Sequence, residues 1–185
     1  MMLQSQYNNK LSTMILKAVQ KGRMGNNLTI ADVGVEKHKR LQLKGVRYTR
    51  VPKWMLPKTN NFLRKKLRPD GLLMRLNVKK RNDKITRAHI REAKRQPVYI
   101  VEVKICSDTN HEAQIKQATR QHEQLLLELY RNKWKRPELV TLTIGASGTI
   151  THKTIQGLET LGIEDKCQRD RLCKQLHNTA IKYLH

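Results

Sequence analysis

The chain is poor in aromatic residues, in acidic residues and in cysteine. Phe, Tyr and Trp make up 4% of its 185 residues. No basic amphipathic stretch carries an aromatic face, the usual mark of a helix lying on an anionic membrane. No apolar run approaches the ~20 residues that cross a bilayer. A membrane is therefore not the expected partner. The three cysteines, Cys106, Cys167 and Cys173, are too few for a disulfide framework. There is no Cys-x-x-Cys; Cys173 and His177, one helical turn apart, come nearest to a metal-ligand pair. The first 25 residues lack the apolar segment and small-residue cleavage site of a secretory leader. A reducing, intracellular compartment is the expectation.

The shortage of acid has the largest consequence. Lys and Arg number 38 against 15 Asp and Glu, a net charge of +23. Such an excess speaks of partners and solubility rather than of fold. It is concentrated: residues 36–95 hold 21 Lys or Arg and 4 Asp or Glu, a net of +17. Nucleic acid is the polyanion that fits, and a nuclear location follows for a DNA-directed protein. The length suits one domain over residues 1–185, large enough for a real core.

Hydrophobic periodicity gives an order of elements. Leu11, Met14, Ile15, Ala18 and Val19 have helical spacing within 5–21, closed by Gly22. Residues 22–67 read as short strands or irregular structure, among them Leu28–Ile30 and Val46–Tyr48, with Pro52 and Pro57 limiting any helix. Gly71–Leu76 reads as a strand, and 98–105 as a buried one. Between them, residues 77–97 form a basic insertion, helical in part over 86–95. A long helix over 111–133 shows Ile115, Ala118, His122, Leu125, Leu126 and Leu129 on one face, with His122 expected in the core. A strand at 139–144 follows, then helices at 151–161 and 165–184 separated by Gly162. The strand–helix–strand unit predicts that the strands at 98–105 and 139–144 run parallel. The fold class is α/β, a mixed central β-sheet flanked by helices.

Two fragments stand out against this background. Glu102 and Lys104 lie two apart in the apolar strand, so they share a face. Burying a carboxylate and an ammonium is costly unless each finds a partner or a metal. Upstream, with 31 residues between, stands Asp70 in Arg68-Pro69-Asp70. Two carboxylates and a lysine make a sensible magnesium-dependent phosphodiesterase set. Alternatively, Asp70 is a turn residue before Gly71, and Glu102 with Lys104 is a pair on a solvent-facing strand.

Asp70 followed by Glu102-Val103-Lys104 on a strand before a helix resembles the PD-(D/E)xK pattern of restriction-endonuclease-like nucleases. More narrowly, the chain resembles the restriction-like endonuclease domain of site-specific non-LTR retrotransposon proteins. The likeness extends to an opening helix at Tyr7–Val19, the strand running into glycines at Leu139–Gly148, Leu161-Gly162-Ile163, and Leu172-Cys173 in the last helix. In that family a reverse transcriptase and zinc knuckle lie upstream in one polypeptide, so this chain reads as a remnant, an excised domain or a separate reading frame. Residues 5–21 contain no Asp or Glu, where many related nucleases place a third carboxylate.

The resemblance implies a restriction-endonuclease-like core and a metal-dependent DNA endonuclease that nicks target DNA for retrotransposon integration. It implies Mg2+, with Mn2+ as a substitute, held by Asp70, Glu102 and the Val103 carbonyl. Lys104 would be the catalytic lysine, and Lys116 an alternative on the following helix. Arg64, Lys65, Lys66 and Arg68, with Lys79, Lys80, Arg81, Arg87 and Arg91 in the insertion, would track the nucleic-acid backbone. DNA is the expected partner, with element RNA or a reverse transcriptase module beside it. Two other readings use the same residues: a non-catalytic basic nucleic-acid-binding protein, and a structure-specific resolvase-like nuclease.

Overall fold

The apolar stretch around Glu102 becomes an inner strand of a sheet. A computed structural model describes residues 2–21, 27–29, 51–75 and 85–184. Among them, β1 (Asn27–Thr29), β2 (Gly71–Arg75), β3 (Pro97–Cys106) and β4 (Arg136–Gly145) hydrogen-bond side by side in that order. β1 and β2 are antiparallel, with Leu28 opposite Met74; β2 and β3 are antiparallel, with Leu72 opposite Ile100. The β3 and β4 strands are joined through a helix and run in the same direction. At their starts the Lys135 N–H donates to the Lys94 carbonyl at 3.0 Å; at their ends Ala146 N–H donates to the Cys106 carbonyl at 2.7 Å. The sheet is therefore mixed, as the strand–helix–strand order predicts. Gly71–Met74 in β2 and Ile100–Val103 in β3 are buried without alternation, the pattern of strands covered on both faces.

Six helices accompany the sheet among the described residues: α1 (Met2–Lys21), α2 (Asn61–Lys66), α3 (Arg87–Ala93), α4 (His111–Arg131), α5 (His152–Thr160) and α6 (Lys166–Leu184). Five of them fall where periodicity places them. α2 does not: its stretch reads as irregular in the sequence. It has six residues and buries none of them fully, so it shows no apolar face to detect. Its start is fixed instead by the Asn60 side chain, which accepts the Phe62 N–H at 2.7 Å. Val46–Tyr48 and Lys79, Lys80 and Arg81 of the basic insertion lie outside the described residues.

The chain divides into two compact units. One comprises Met1–Gly25, Glu102–Arg120 and Val140–His185. Here α1 packs on α6, with Leu11, Ile15 and Val19 buried on the first and Leu172, Leu176 and Ala180 on the second. α5 begins at Thr151, whose hydroxyl accepts the Thr154 N–H, and ends at Gly162 in the left-handed region (φ 94°). Ile163 N–H reaches the Leu158 carbonyl and Gly162 N–H the Glu159 carbonyl, a Schellman closure that the Leu-Gly-Ile sequence announces.

The other unit comprises Asn26–Val101 and Gln121–Leu139. Its core joins Val51, Met55, Leu56, Leu72, Met74, Val98, Ile100, Leu125, Leu129 and Trp134, with Ile85 packed on it. Trp134 is buried and its indole N–H donates to the Met55 carbonyl at 3.0 Å. Beside this core a buried polar knot forms. Asn132 donates to Thr59 Oγ1 and to the Glu128 carbonyl and accepts the Lys58 N–H, while the Thr59 hydroxyl donates to the Glu128 carboxylate. The end of α4 repeats the Schellman closure, but with Lys133 in the left-handed position (φ 67°) that glycine normally takes. Holding a lysine there costs about 1 kcal/mol.

Trp134→Ala is expected to lower the unfolding free energy by about 3–5 kcal/mol, as for other buried aromatics. Trp134→Phe should cost about 1–3 kcal/mol, since it leaves the Met55 carbonyl without a donor. Urea titration followed by far-UV circular dichroism checks both.

Candidate functional site

Glu102 sits in the middle of β3, at 4% exposure. Two residues on, the period of the strand returns the side chain to the same face. Lys104 accordingly places Nζ 2.7 Å from Glu102 Oε1, with its side chain 19% exposed. Val103 between them is buried as well. The pair is thus not a solvent-facing decoration of an antiparallel edge. It is a charge pair carried into the interior by an otherwise apolar strand, where solvent screening is weak.

Asp70 is also buried, at 8% exposure. It stands immediately before β2, whose first residue, Gly71, pairs with Val101, the residue before Glu102. Asp70 belongs to the second unit and the Glu102–Lys104 pair to the first. Among the described residues, no three His, Cys, Asp or Glu side chains cluster as metal ligands.

Beyond Lys104, the end of β3 and the start of α4 are tied by polar groups that the sequence does not reveal. His111, the first residue of α4, shares a hydrogen bond of 2.9 Å between Nδ1 and Thr143 Oγ1 on β4. Cys106 Sγ lies 3.5 Å from the same nitrogen. The Thr154 hydroxyl donates to the Thr143 carbonyl and accepts the Thr143 N–H. His111 Nε2 is buried with no hydrogen-bond partner among the described residues. Burial, reinforced by the Asp108 carboxylate, pushes the Cys106 thiol up, so it is a packed thiol rather than a thiolate nucleophile. Asp108 itself is held below the ordinary carboxylate value by the Thr149 and Ser147 hydroxyls, which ties the β3–α4 connection to the loop after β4.

Lys116, the alternative lysine, is exposed on α4, where its charge acts on Glu112. Glu112 in turn pairs with Lys153 at 2.9 Å. Cys167 is exposed, and His177 Nδ1 is hydrogen-bonded with the Gly148 carbonyl, so Cys173 and His177 form no larger ligand set among the described residues. His122 is buried, as its place on the apolar face predicts.

The basic residues divide by role. Arg64 donates to the Val51 carbonyl at 2.7 Å and to Asn61, and so helps to hold α2 in place. Lys65 is exposed. Lys66 stands over the Phe62 ring, 4.2 Å from its centre. Arg68 is exposed, with Nε donating to the Lys65 carbonyl at 3.1 Å. Arg87 and Arg91 are exposed one turn apart on α3. Among the described residues, no helix is long and apolar enough to cross a membrane.

No protein-family model, no curated protein and no solved structure matches the chain.

A double-mutant cycle of Glu102→Gln and Lys104→Met is expected to show a coupling of about 1–3 kcal/mol in unfolding free energy, because each single change removes the 2.7 Å ion pair while leaving one of its charges in place. Chemical denaturation of the four proteins measures it.

Proposed function

We propose that the protein is a metal-dependent endonuclease that hydrolyses phosphodiester bonds in DNA. The observation that carries this reading is the pairing of buried Glu102 with half-buried Lys104, 2.7 Å apart on an inner strand that leads into helix α4 and then the parallel strand β4. A structural protein has little use for such a pair, since well-packed apolar residues are often as stable. The buried Asp70 and the +17 segment around it supply the second carboxylate and an attraction for phosphate.

In this reading Asp70, Glu102 and the Val103 carbonyl would be the groups that hold Mg2+ or Mn2+. A bound divalent ion polarises the scissile phosphate and lowers the pKa of a water. Lys104 sets a positive charge against the negative charge that develops on the phosphate. Its contact with Glu102 keeps the ammonium on the side of the strand where it is needed. The strand order, together with the Pro-Asp and Glu-x-Lys fragments, supports a restriction-endonuclease-like core of the kind found in site-specific non-LTR retrotransposon proteins. Target nicking in the nucleus is the corresponding role. Arg68, Lys65, Arg87 and Arg91, all exposed, would follow the DNA backbone.

Supercoiled plasmid incubated with the protein and Mg2+ or Mn2+ should become nicked circles. Asp70→Ala, Glu102→Ala and Lys104→Ala should each lower the rate by about 100-fold or more, the scale of losing one electrostatic group from such a site. Wild type that binds DNA but leaves it uncut with either ion would show a binding protein instead. Preference for branched over linear duplex would mark the resolvase-like variant of the chemistry.

A further inference from the structure

Three lysine charges, those of Lys58, Lys94 and Lys133, come together at the carbonyl end of α4, within the second unit, and of these only Lys94 falls in the basic insertion read from the sequence. Asn132 gathers them. Its side-chain oxygen accepts the Lys58 N–H at 2.9 Å, and its backbone carbonyl accepts Lys94 Nζ at 2.7 Å. Lys133 follows it directly, and the Lys135 N–H donates to the Lys94 carbonyl at 3.0 Å. The buried acid of this region, Glu128, is committed to Thr59, Gln124 and Arg131. It lies a turn back along the helix.

The carbonyl end of a helix welcomes a cation, but here there are more cations than it can serve. Lys94 is half-buried, and its ammonium is held below the usual lysine range by burial, then by the charges of Lys133 and Lys58. Lys133 is kept in the left-handed region, against the preference of its own backbone. Strain of this kind and crowded like charges both point to a function that repays them. One turn earlier, Tyr130 is 56% exposed, and its carbonyl receives the Lys133 N–H at 2.9 Å. An exposed ring three residues before Lys133 on the same helix end offers a stacking face to go with the phosphate partners that an unpaired nucleotide needs.

We propose that Lys58, Lys94 and Lys133 form a phosphate seat for single-stranded nucleic acid, with Tyr130 stacking on a base. The seat rests on nucleic acid being the partner of this protein, and it is independent of cleavage.

Binding of labelled oligothymidylate, measured by fluorescence anisotropy in EDTA over a range of salt, tests it. Lys58→Gln combined with Lys133→Asn should reduce the slope of log affinity against log salt by about 1.4, since each single-strand phosphate contact contributes about 0.7. Tyr130→Ala should weaken binding by about tenfold or more. Lys133→Gly is the sharpest variant. It should raise the midpoint of urea unfolding while weakening binding, a combination that damage to the fold cannot produce. The seat is overturned if the double variant keeps wild-type slope and affinity, if wild type does not bind the oligonucleotide, or if the lysine variants lose only binding to anionic vesicles. Seat variants that bind like wild type leave the nuclease reading standing. Wild type that binds the oligonucleotide through these residues but nicks no plasmid sinks the nuclease reading and leaves the seat.

Discussion

A carboxylate buried in the middle of a β-sheet is the constraint around which this protein is organised. Glu102 is nearly free of solvent contact and lies on a strand whose other buried residues are Val98, Ile100, Val101, Val103 and Cys106. An ionised carboxylate in such surroundings loses several kcal/mol of hydration. The strand period returns Lys104 to the same face, and the 2.7 Å contact offsets part of that loss. Neither residue is a convenient choice for stability, and the proposed chemistry would give them a use. That combination, more than the net charge, distinguishes the chain from a merely basic protein.

Most of the fold is legible in the sequence because its inner elements have strong periods. β3 is apolar over nearly its full length, α4 repeats its buried positions from Ala118 to Leu129, and Gly162 marks the closure between α5 and α6. The burial of Glu102 is legible too, since it follows from the apolar neighbours on each side. What escapes sequence reading is local or non-local in a particular way. α2 escapes because it is held by a cap and by Arg64 rather than by an apolar face. The His111–Thr143–Thr154 chain of hydrogen bonds escapes because its members lie on three elements and no short pattern joins them. Lys133 escapes because nothing in a lysine announces a left-handed backbone.

Charge acts at two scales. The long-range field of the +17 segment would attract a polyanion without reading it, and such a field fades as salt rises. Short-range groups set the environment of each lysine. Lys104 is steadied by a carboxylate, whereas Lys94 is crowded by other lysines. A paired ammonium keeps its position before a substrate arrives, which suits a group that must stabilise charge as it develops. A crowded one gains most when a phosphate comes, which suits binding. The two lysine environments thus differ in kind, and they are built by residues drawn from different parts of the chain.

Divalent-ion binding tests the central claim most directly, because it asks what the buried carboxylates are for. Isothermal titration of the wild-type protein with Mn2+ is expected to show a saturable site that Asp70→Asn and Glu102→Gln each abolish and that Lys116→Gln leaves intact. A wild-type protein that takes up no ion, or variants that bind it as tightly as wild type, would contradict the assignment of Asp70 and Glu102 as the metal-holding pair.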